Sequence, residues 1–242
     1  MSSTPKERTK SAPSVPTLFG LESQELLAPL FGVALFPYAR FAVGGTEHVP
    51  TEGPAILTPN HSSYFDAAAL AVLSRQLRRP LRVMAKIELF RIPGLGGLLR
   101  SFGAIPVDRN ADPRQALRSA RAFLDAGDLV VILPEGTIPK PESSQDSLLA
   151  LKAGAVLVAK RAQVPLIPIG IVGTNHVWPV GARLPRLARI VHPSSVRLEI
   201  GAPLEVGANT KETLDRLRLA ITAQIELAER MELDAKRREE RQ

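Results

Sequence analysis

The side chains best suited to chemistry in this 242-residue chain lie in one short segment, Asn60-His61-Ser62-Ser63-Tyr64-Phe65-Asp66, which follows the strand-like run Ala55–Thr58. Histidine has an ordinary pKa that lets it take and return a proton near neutrality. On a continuous helix a five-residue offset would splay His61 and Asp66 apart. In a turn between a strand and a helix, Asp66 can fold back and hydrogen-bond one imidazole nitrogen. That bond would fix the tautomer, steady the imidazolium and leave the other nitrogen to take a proton from an alcohol. The spacing alone also fits a plainer arrangement, with Asp66 as a helix N-cap and His61 as a satisfied turn histidine. Two further segments suit phosphate. Leu133-Pro134-Glu135-Gly136-Thr137 ends the most apolar strand-like run, where glycine admits close backbone approach and a hydroxyl reaches out. Gly103-Ala104-Ile105-Pro106-Val107-Asp108-Arg109 sends a planar guanidinium out of a short strand. Each is weak alone: Pro-Glu-Gly is commonly a turn, and Asp108-Arg109 commonly a surface ion pair.

The elements that must position these residues alternate. Ala55–Thr58, Leu81–Ala85, Ala104–Val107, Leu129–Leu133, Leu166–Ile171 and Val196–Ile200 are short, β-branched and bounded by Gly, Pro or Asn. Helical patterns lie between them at Asp66–Gln76, Pro113–Ala126 and Leu148–Ala162; the second has Asp112 as N-cap, Pro at its first position and Gly127 past its end. This order predicts an α/β fold with a mostly parallel central sheet flanked by helices. Thr210–Arg241 reads as a long C-terminal helix, with Leu214, Leu217, Ile221, Ile225, Ala228 and Met231 on one stripe and a polar, fraying end beyond. Residues 1–17 read as a disordered tail, and 18–242 as a single domain.

Composition narrows the function. There is no cysteine, hence no disulfide framework, thiol nucleophile or thiolate metal site, and four histidines without a His-Glu-x-x-His pattern leave little for zinc. We expect neither metal nor cofactor. The apolar fraction of 45% and charged fraction of 23% exclude wholesale disorder. The most apolar stretch, Leu26–Ala39, is broken by Pro29, Gly32 and Pro37 and is too short to span a bilayer; it suits a buried helix or one lying in a membrane interface. The net charge is +7, yet Arg75–Arg121 alone holds eleven basic and three acidic residues, and Arg183, Arg186, Arg189 and Arg197 form an acid-free second patch. Such charge predicts a phosphate-rich partner. A nucleic-acid binder is the non-enzymatic rival, but aromatics are only 5% and no nucleic-acid-binding signature appears, so we expect no nucleic acid. A serine hydrolase using Ser62 or Ser63 lacks the Gly-x-Ser-x-Gly elbow, and Gly94-Leu95-Gly96-Gly97 breaks the dinucleotide fingerprint.

Asn60-His61-(x4)-Asp66, Gly103…Asp108-Arg109, Pro134-Glu135-Gly136-Thr137 and Val164-Pro165-Leu166-Ile167-Pro168, in this order, resemble the four blocks of the glycerolipid acyltransferases of the 1-acylglycerol-3-phosphate O-acyltransferase type. Lys86-Ile87-Glu88-Leu89-Phe90 and Leu151-Lys152-Ala153-Gly154 match flanking segments, and the resemblance covers about residues 41–205. It implies a glycerol-3-phosphate acyltransferase-like fold, with His61 as general base on an acceptor hydroxyl and Asp66 as its orienter. The donor would be an acyl-CoA or acyl carrier protein thioester. Arg109, Glu135, Gly136 and Thr137, with Lys86 assisting, would hold a lysophospholipid's phosphate and glycerol. The implied product is phosphatidic acid, made peripherally on the cytoplasmic face of a membrane. The family usually places arginine after Pro-Glu-Gly-Thr, and this chain has Ile138-Pro139-Lys140. Another lysophospholipid or a glycolipid is therefore the alternative acceptor.

Overall fold

Strand Ala55–Pro59 is buried along its whole length, as an apolar run covered on both faces of a sheet must be. In the computed structural model its alternating side chains divide the core in two. Leu57 joins Leu81, Leu129, Val131 and Ile167 against one face, while Ile56 joins Phe123, Leu124, Val130 and Leu166 against the other. Each such side chain stabilises the fold by roughly 1.5–3 kcal/mol. The structure describes residues 39–108, 110, 115–138, 148–182, 184–186 and 191–241, and the backbone of 17–18, 21–22 and 113–114.

Two short strands, β1 (Thr17–Leu18) and β2 (Leu21–Glu22), pair antiparallel. The main sheet comprises β3 (Ala39–Gly44), β4 (Ala55–Pro59), β5 (Leu81–Lys86), β6 (Ile105–Val107), β7 (Leu129–Val131), β8 (Leu166–Val172) and β9 (Ser194–Ile200). Its order is β3-β9-β8-β4-β7-β5-β6, and every neighbouring pair is parallel except β8–β9. The helices are α1 (Asp66–Leu77), α2 (Leu95–Ser101), α3 (Pro113–Asp125), α4 (Gly154–Ala162), α5 (Thr174–Val177) and α6 (Thr210–Glu239). Helix α1 supplies Ala69, Leu70 and Leu73 to the first core cluster, and α3, α4 and α6 pack on the second. The architecture is the mostly parallel α/β sheet that the alternation predicts, with the long C-terminal helix.

Several boundaries differ from the expected ones. Helix α4 begins at Gly154 rather than Leu148; residues 148–153 are irregular and lie beside the loop after β7, held by Lys152 N–H donating to Pro134 O at 2.8 Å. Strand β3 and helix α2 were not anticipated; β3 is an edge strand with one buried residue, and α2 is rich in glycine. Helix α6 continues through Glu239 instead of fraying after Met231. Of the apolar run Leu26–Ala39, only Ala39 is described, where it starts β3; Asp112 and the expected tail, apart from Thr17, also lie outside the described residues.

Helix α6 starts at Asn209, whose side chain accepts from the N–H groups of Lys211 and Glu212. It then lies directly on β8. A Cβ at Gly170 would stand 2.3 Å from Gln224 C and 2.4 Å from Ile225 N, both backbone atoms that cannot swing aside. Gly170→Ala is therefore expected to push α6 off the sheet and cost about 1–3 kcal/mol. The check is a lower urea midpoint, with α6 amides losing hydrogen-exchange protection first.

Candidate active site

The strands β8, β4 and β7 are adjacent and parallel, so the segments leaving their carboxyl ends converge, the usual place for a ligand in an open α/β sheet. From β4 come Asn60 and His61, from β7 comes Glu135, and from β8 comes Thr174. Asn60 continues the β4–β8 ladder with its side chain: Nδ2 donates to Ile171 O at 3.0 Å, and Oδ1 accepts from Ile171 N at 2.7 Å. The chain then turns through Ser62 and Ser63 into α1, whose first residue is Asp66.

Asp66 is 1% exposed, yet its carboxylate is saturated with donors. Oδ2 lies 2.8 Å from His61 Nδ1 and accepts from the N–H groups of Ser62 (2.9 Å) and Ser63 (3.0 Å). Oδ1 accepts from Thr174 Oγ1 at 2.6 Å. Phe65, not Asp66, is the N-cap residue of α1, and Asp66 instead reaches back to the amides of the turn. With Nδ1 engaged, Nε2 is the nitrogen His61 has left, and His61 lines a cleft of about 410 Å³. The cleft is also lined by Asn60, Ser62, Ile171, Gly173 and Glu135, and runs along α6 past Ile225, Glu229, Glu232, Leu233 and Lys236. The part of α6 expected to fray thus forms a wall of it.

Glu135 lines the cleft and is also held by the fold. It is buried, and each carboxylate oxygen accepts a backbone amide: Oε1 from His61 N at 2.7 Å and Oε2 from Leu149 N at 2.9 Å. It braces the histidine's backbone and ties the loop after β7 to the segment before α4. Gly136 and Thr137 follow it, half-buried and exposed respectively. The Lys152 side chain lies over Gly136, where an added Cβ would be 2.8 Å from Nζ. Lys86 is exposed at the carboxyl end of β5, on the same sheet edge as His61 but two strands away, about 10 Å at ordinary strand spacing. Arg109 and Lys140 lie outside the described residues, and Ile138 is half-buried.

The basic segment is partly consumed by the fold itself. Arg79 donates to the carbonyls of Pro50, Gly53 and Gly127. Arg82 is buried against Asp128 at 2.8 Å and over the Phe123 ring, Arg100 donates to Phe90 O, and Arg121 pairs with Asp125. In the second patch Arg197 pairs with Glu199 at 2.7 Å. Arg75, Arg78, Lys86 and Arg91 remain exposed. Charge counting alone therefore overstates what is available to a phosphate-bearing partner. Thr174 and Lys152, in contrast, carried no signal as site residues: one follows a strand by a single glycine, the other sits in an ordinary helix approach.

Burial pushes the Glu135 carboxyl above its usual value of 4.5, while the amides of Leu149 and His61 and the His61 charge pull the other way. Between 4.5 and that raised value the folded chain holds a proton the unfolded chain has released, so raising pH through this window removes stability. A Glu135→Gln protein carries no such proton. Its Tm relative to wild type is expected to rise between about pH 4 and about pH 8 in paired melts; a relative Tm that falls over this range would contradict the direction.

The chain is similar to known proteins. A profile described as Acyltransferase matches residues 40–172. A chloroplastic 1-acyl-sn-glycerol-3-phosphate acyltransferase of Arabidopsis thaliana is 28% identical over 176 residues, covering 71% of this chain and 46% of that protein. A 1-acyl-sn-glycerol-3-phosphate acyltransferase of Bacillus subtilis is 32% identical over 129 residues, covering 53% of this chain and 61% of that one. The chain thus spans about half the length of the plant relative. In architecture it is similar to the crystal structure of the 1-acyl-sn-glycerophosphate acyltransferase of Thermotoga maritima, with a TM-score of 0.68 and 25% identity, over 86% of this chain and 78% of that one. With more than half of its residues matched by that profile, the chain belongs to the Acyltransferase family.

Proposed function

We propose that the protein is an O-acyltransferase that moves a fatty acyl group from an acyl-CoA or acyl carrier protein thioester to the free hydroxyl of a lysophospholipid. The acceptor its relatives' names favour is 1-acyl-sn-glycerol 3-phosphate, which would give phosphatidic acid. The observation that carries this reading is the His61 Nδ1–Asp66 Oδ2 contact of 2.8 Å on a histidine that lines a cleft. Nδ1–H donates to the carboxylate, and Nε2 takes the proton of the acceptor hydroxyl as its oxygen attacks the thioester carbonyl. The new ester C–O bond forms, the C–S bond breaks, and the departing thiolate takes the proton back from the imidazolium. A thioester is already activated, so the step needs no covalent enzyme intermediate; general-base assistance of this kind is worth about 10²–10⁴-fold.

In this reading the acceptor phosphate lies toward β7 and β5, near Gly136 and Thr137, with Lys86, Arg109 and Lys152 as cations. Glu135 holds the His61 backbone there rather than the phosphate. Lys152 supports lysophosphatidate as acceptor even with Ile138 in place of the family's arginine, because it brings a cation to the same loop. His61→Ala is expected to abolish thiol release and phosphatidate formation in a folded protein, and Asp66→Asn to lower kcat by roughly 10²–10⁴. In the same assay Lys152→Ala should raise the acceptor KM alone. Full activity of folded His61→Ala would refute the mechanism. A wild-type preference for lysophosphatidylcholine over lysophosphatidate would change the acceptor and leave acyl transfer standing.

Among the described residues no helix is long and apolar enough to cross a membrane. We place the protein peripherally on the cytoplasmic face of a membrane, drawn there by the exposed Arg75, Arg78, Lys86 and Arg91, each worth about 1 kcal/mol near an anionic surface. Binding to phosphatidylglycerol vesicles is expected to weaken steeply with added salt and to be absent on phosphatidylcholine alone. Equal binding to both lipids would rule out the electrostatic attachment.

A further inference from the structure

We infer that Thr174 is a positioning residue for the His61–Asp66 pair: its hydroxyl holds the Asp66 carboxylate in the rotation that presents Oδ2 to His61. Thr174 is fully buried and does not line the cleft, so it acts through Asp66 and not on substrate. The carboxylate's donors are divided unequally. Oδ2 receives His61 Nδ1 and the Ser62 and Ser63 amides, and Oδ1 receives the Thr174 hydroxyl at 2.6 Å. A carboxylate turns about its last bond over a broad range. Without the Thr174 donor, Oδ1 would lose the partner recorded for it, and a buried acceptor so deprived costs free energy that any rotation toward another donor would relieve. The hydroxyl has one proton; given to Asp66, it leaves Thr174 Oγ1 to accept from Ser62 Oγ–H, 3.3 Å away. The same turn that carries His61 is thereby tied twice to the end of β8.

Thr174 is itself held on both sides. Gly173, with φ of 86°, makes the turn from β8, and a Cβ there would stand 2.1 Å from Ser195 O, so the loop has one path. Ser63 Oγ lies 3.1 Å from Thr174 O and 2.5 Å from Trp178 O, clasping α5 at both ends. The residue is an orienting partner beyond the proposed catalytic pair; by analogy with the partners that orient metal-ligating histidines, its loss is expected to cost about 10–100-fold.

The kinetic test rests on the acyl-transfer reading; a spectroscopic one does not. Thr174→Val keeps the shape and removes the donor, Thr174→Ser keeps the donor, and Thr174→Ala serves if the valine variant does not fold. With folding verified by circular dichroism, kcat is expected to fall about 10–100-fold in Thr174→Val, with both KM values unchanged, and to recover in Thr174→Ser. In an Asp66→Asn background the valine substitution should cost little more. Independently of any substrate, the ¹⁵N-imidazole spectrum of His61 should keep its Nδ1–H signal in wild type and Thr174→Ser, and shift or lose it in Thr174→Val. A folded Thr174→Val (or Thr174→Ala) protein with the wild-type imidazole spectrum overturns the inference, as does a serine variant that falls as far as the valine. Absence of acyl transfer in wild type would count against the proposed function, while the imidazole comparison would still decide the role of Thr174.

Discussion

A carboxylate 1% exposed must be either protonated or fully supplied with donors, because an unpartnered buried charge costs several kcal/mol. Asp66 meets this constraint with four donors drawn from two loops, and much of the surrounding geometry follows. The Ser62 and Ser63 amides can reach it only if the chain turns tightly between β4 and α1. Thr174 can reach it only if β8 lies beside β4 and ends in a glycine turn. Its place at the first residue of α1 adds the favourable field of a helix N-terminus. His61 is then the donor facing the cleft, so satisfying the charge and orienting the imidazole are a single structural event.

The fold and the site were legible to different depths for a common reason, sequence separation. The His61–Asp66 pair is five residues apart, and residue types in a strand–turn–helix context sufficed to suggest their contact. The Thr174–Asp66 bond spans 108 positions and the Glu135–His61 bond 74, so both depend on strand order, which local pattern does not state. The buried strands β4 and β8 announce themselves through short, mainly apolar runs bounded by turn residues. The edge strand β3 has a single buried residue and gave no such signal. Leu148 and Leu151 continue the apolar stripe of helix α4 in the sequence, which places its start six residues too early; in the structure they pack on the same core from an irregular segment.

Charge was the least transparent property. The eleven basic residues of Arg75–Arg121 suggested a phosphate-binding surface, but arginine is also a five-donor fork suited to capping loop carbonyls and filling a buried ion pair. Arg79 and Arg82 are used in those ways, one tying three backbone carbonyls together and the other packed against Asp128 and Phe123. Which cations are free for a ligand is a question about loop carbonyls and buried acids, and neither is visible in a count of residues.

The presence of Glu135 beside a site proposed for an anionic acceptor has a resolution in the same terms. Each of its oxygens accepts a backbone amide, so the carboxyl group is fixed in place by the fold and braces the histidine's backbone. Its charge is nonetheless close enough to His61 and Asp66 to interact with both. On the proposed reading, a proton taken by the imidazole would form a cation near two carboxyl groups held in place, Asp66 at its ring and Glu135 at its backbone. In a partly buried site that arrangement would stabilise charge developing in the proposed reaction, with little reorganisation because both carboxyl groups are already held by amides. The proposed acceptor phosphate would instead meet the Lys152 and Lys86 ammonium groups on the β7–β5 side of the sheet.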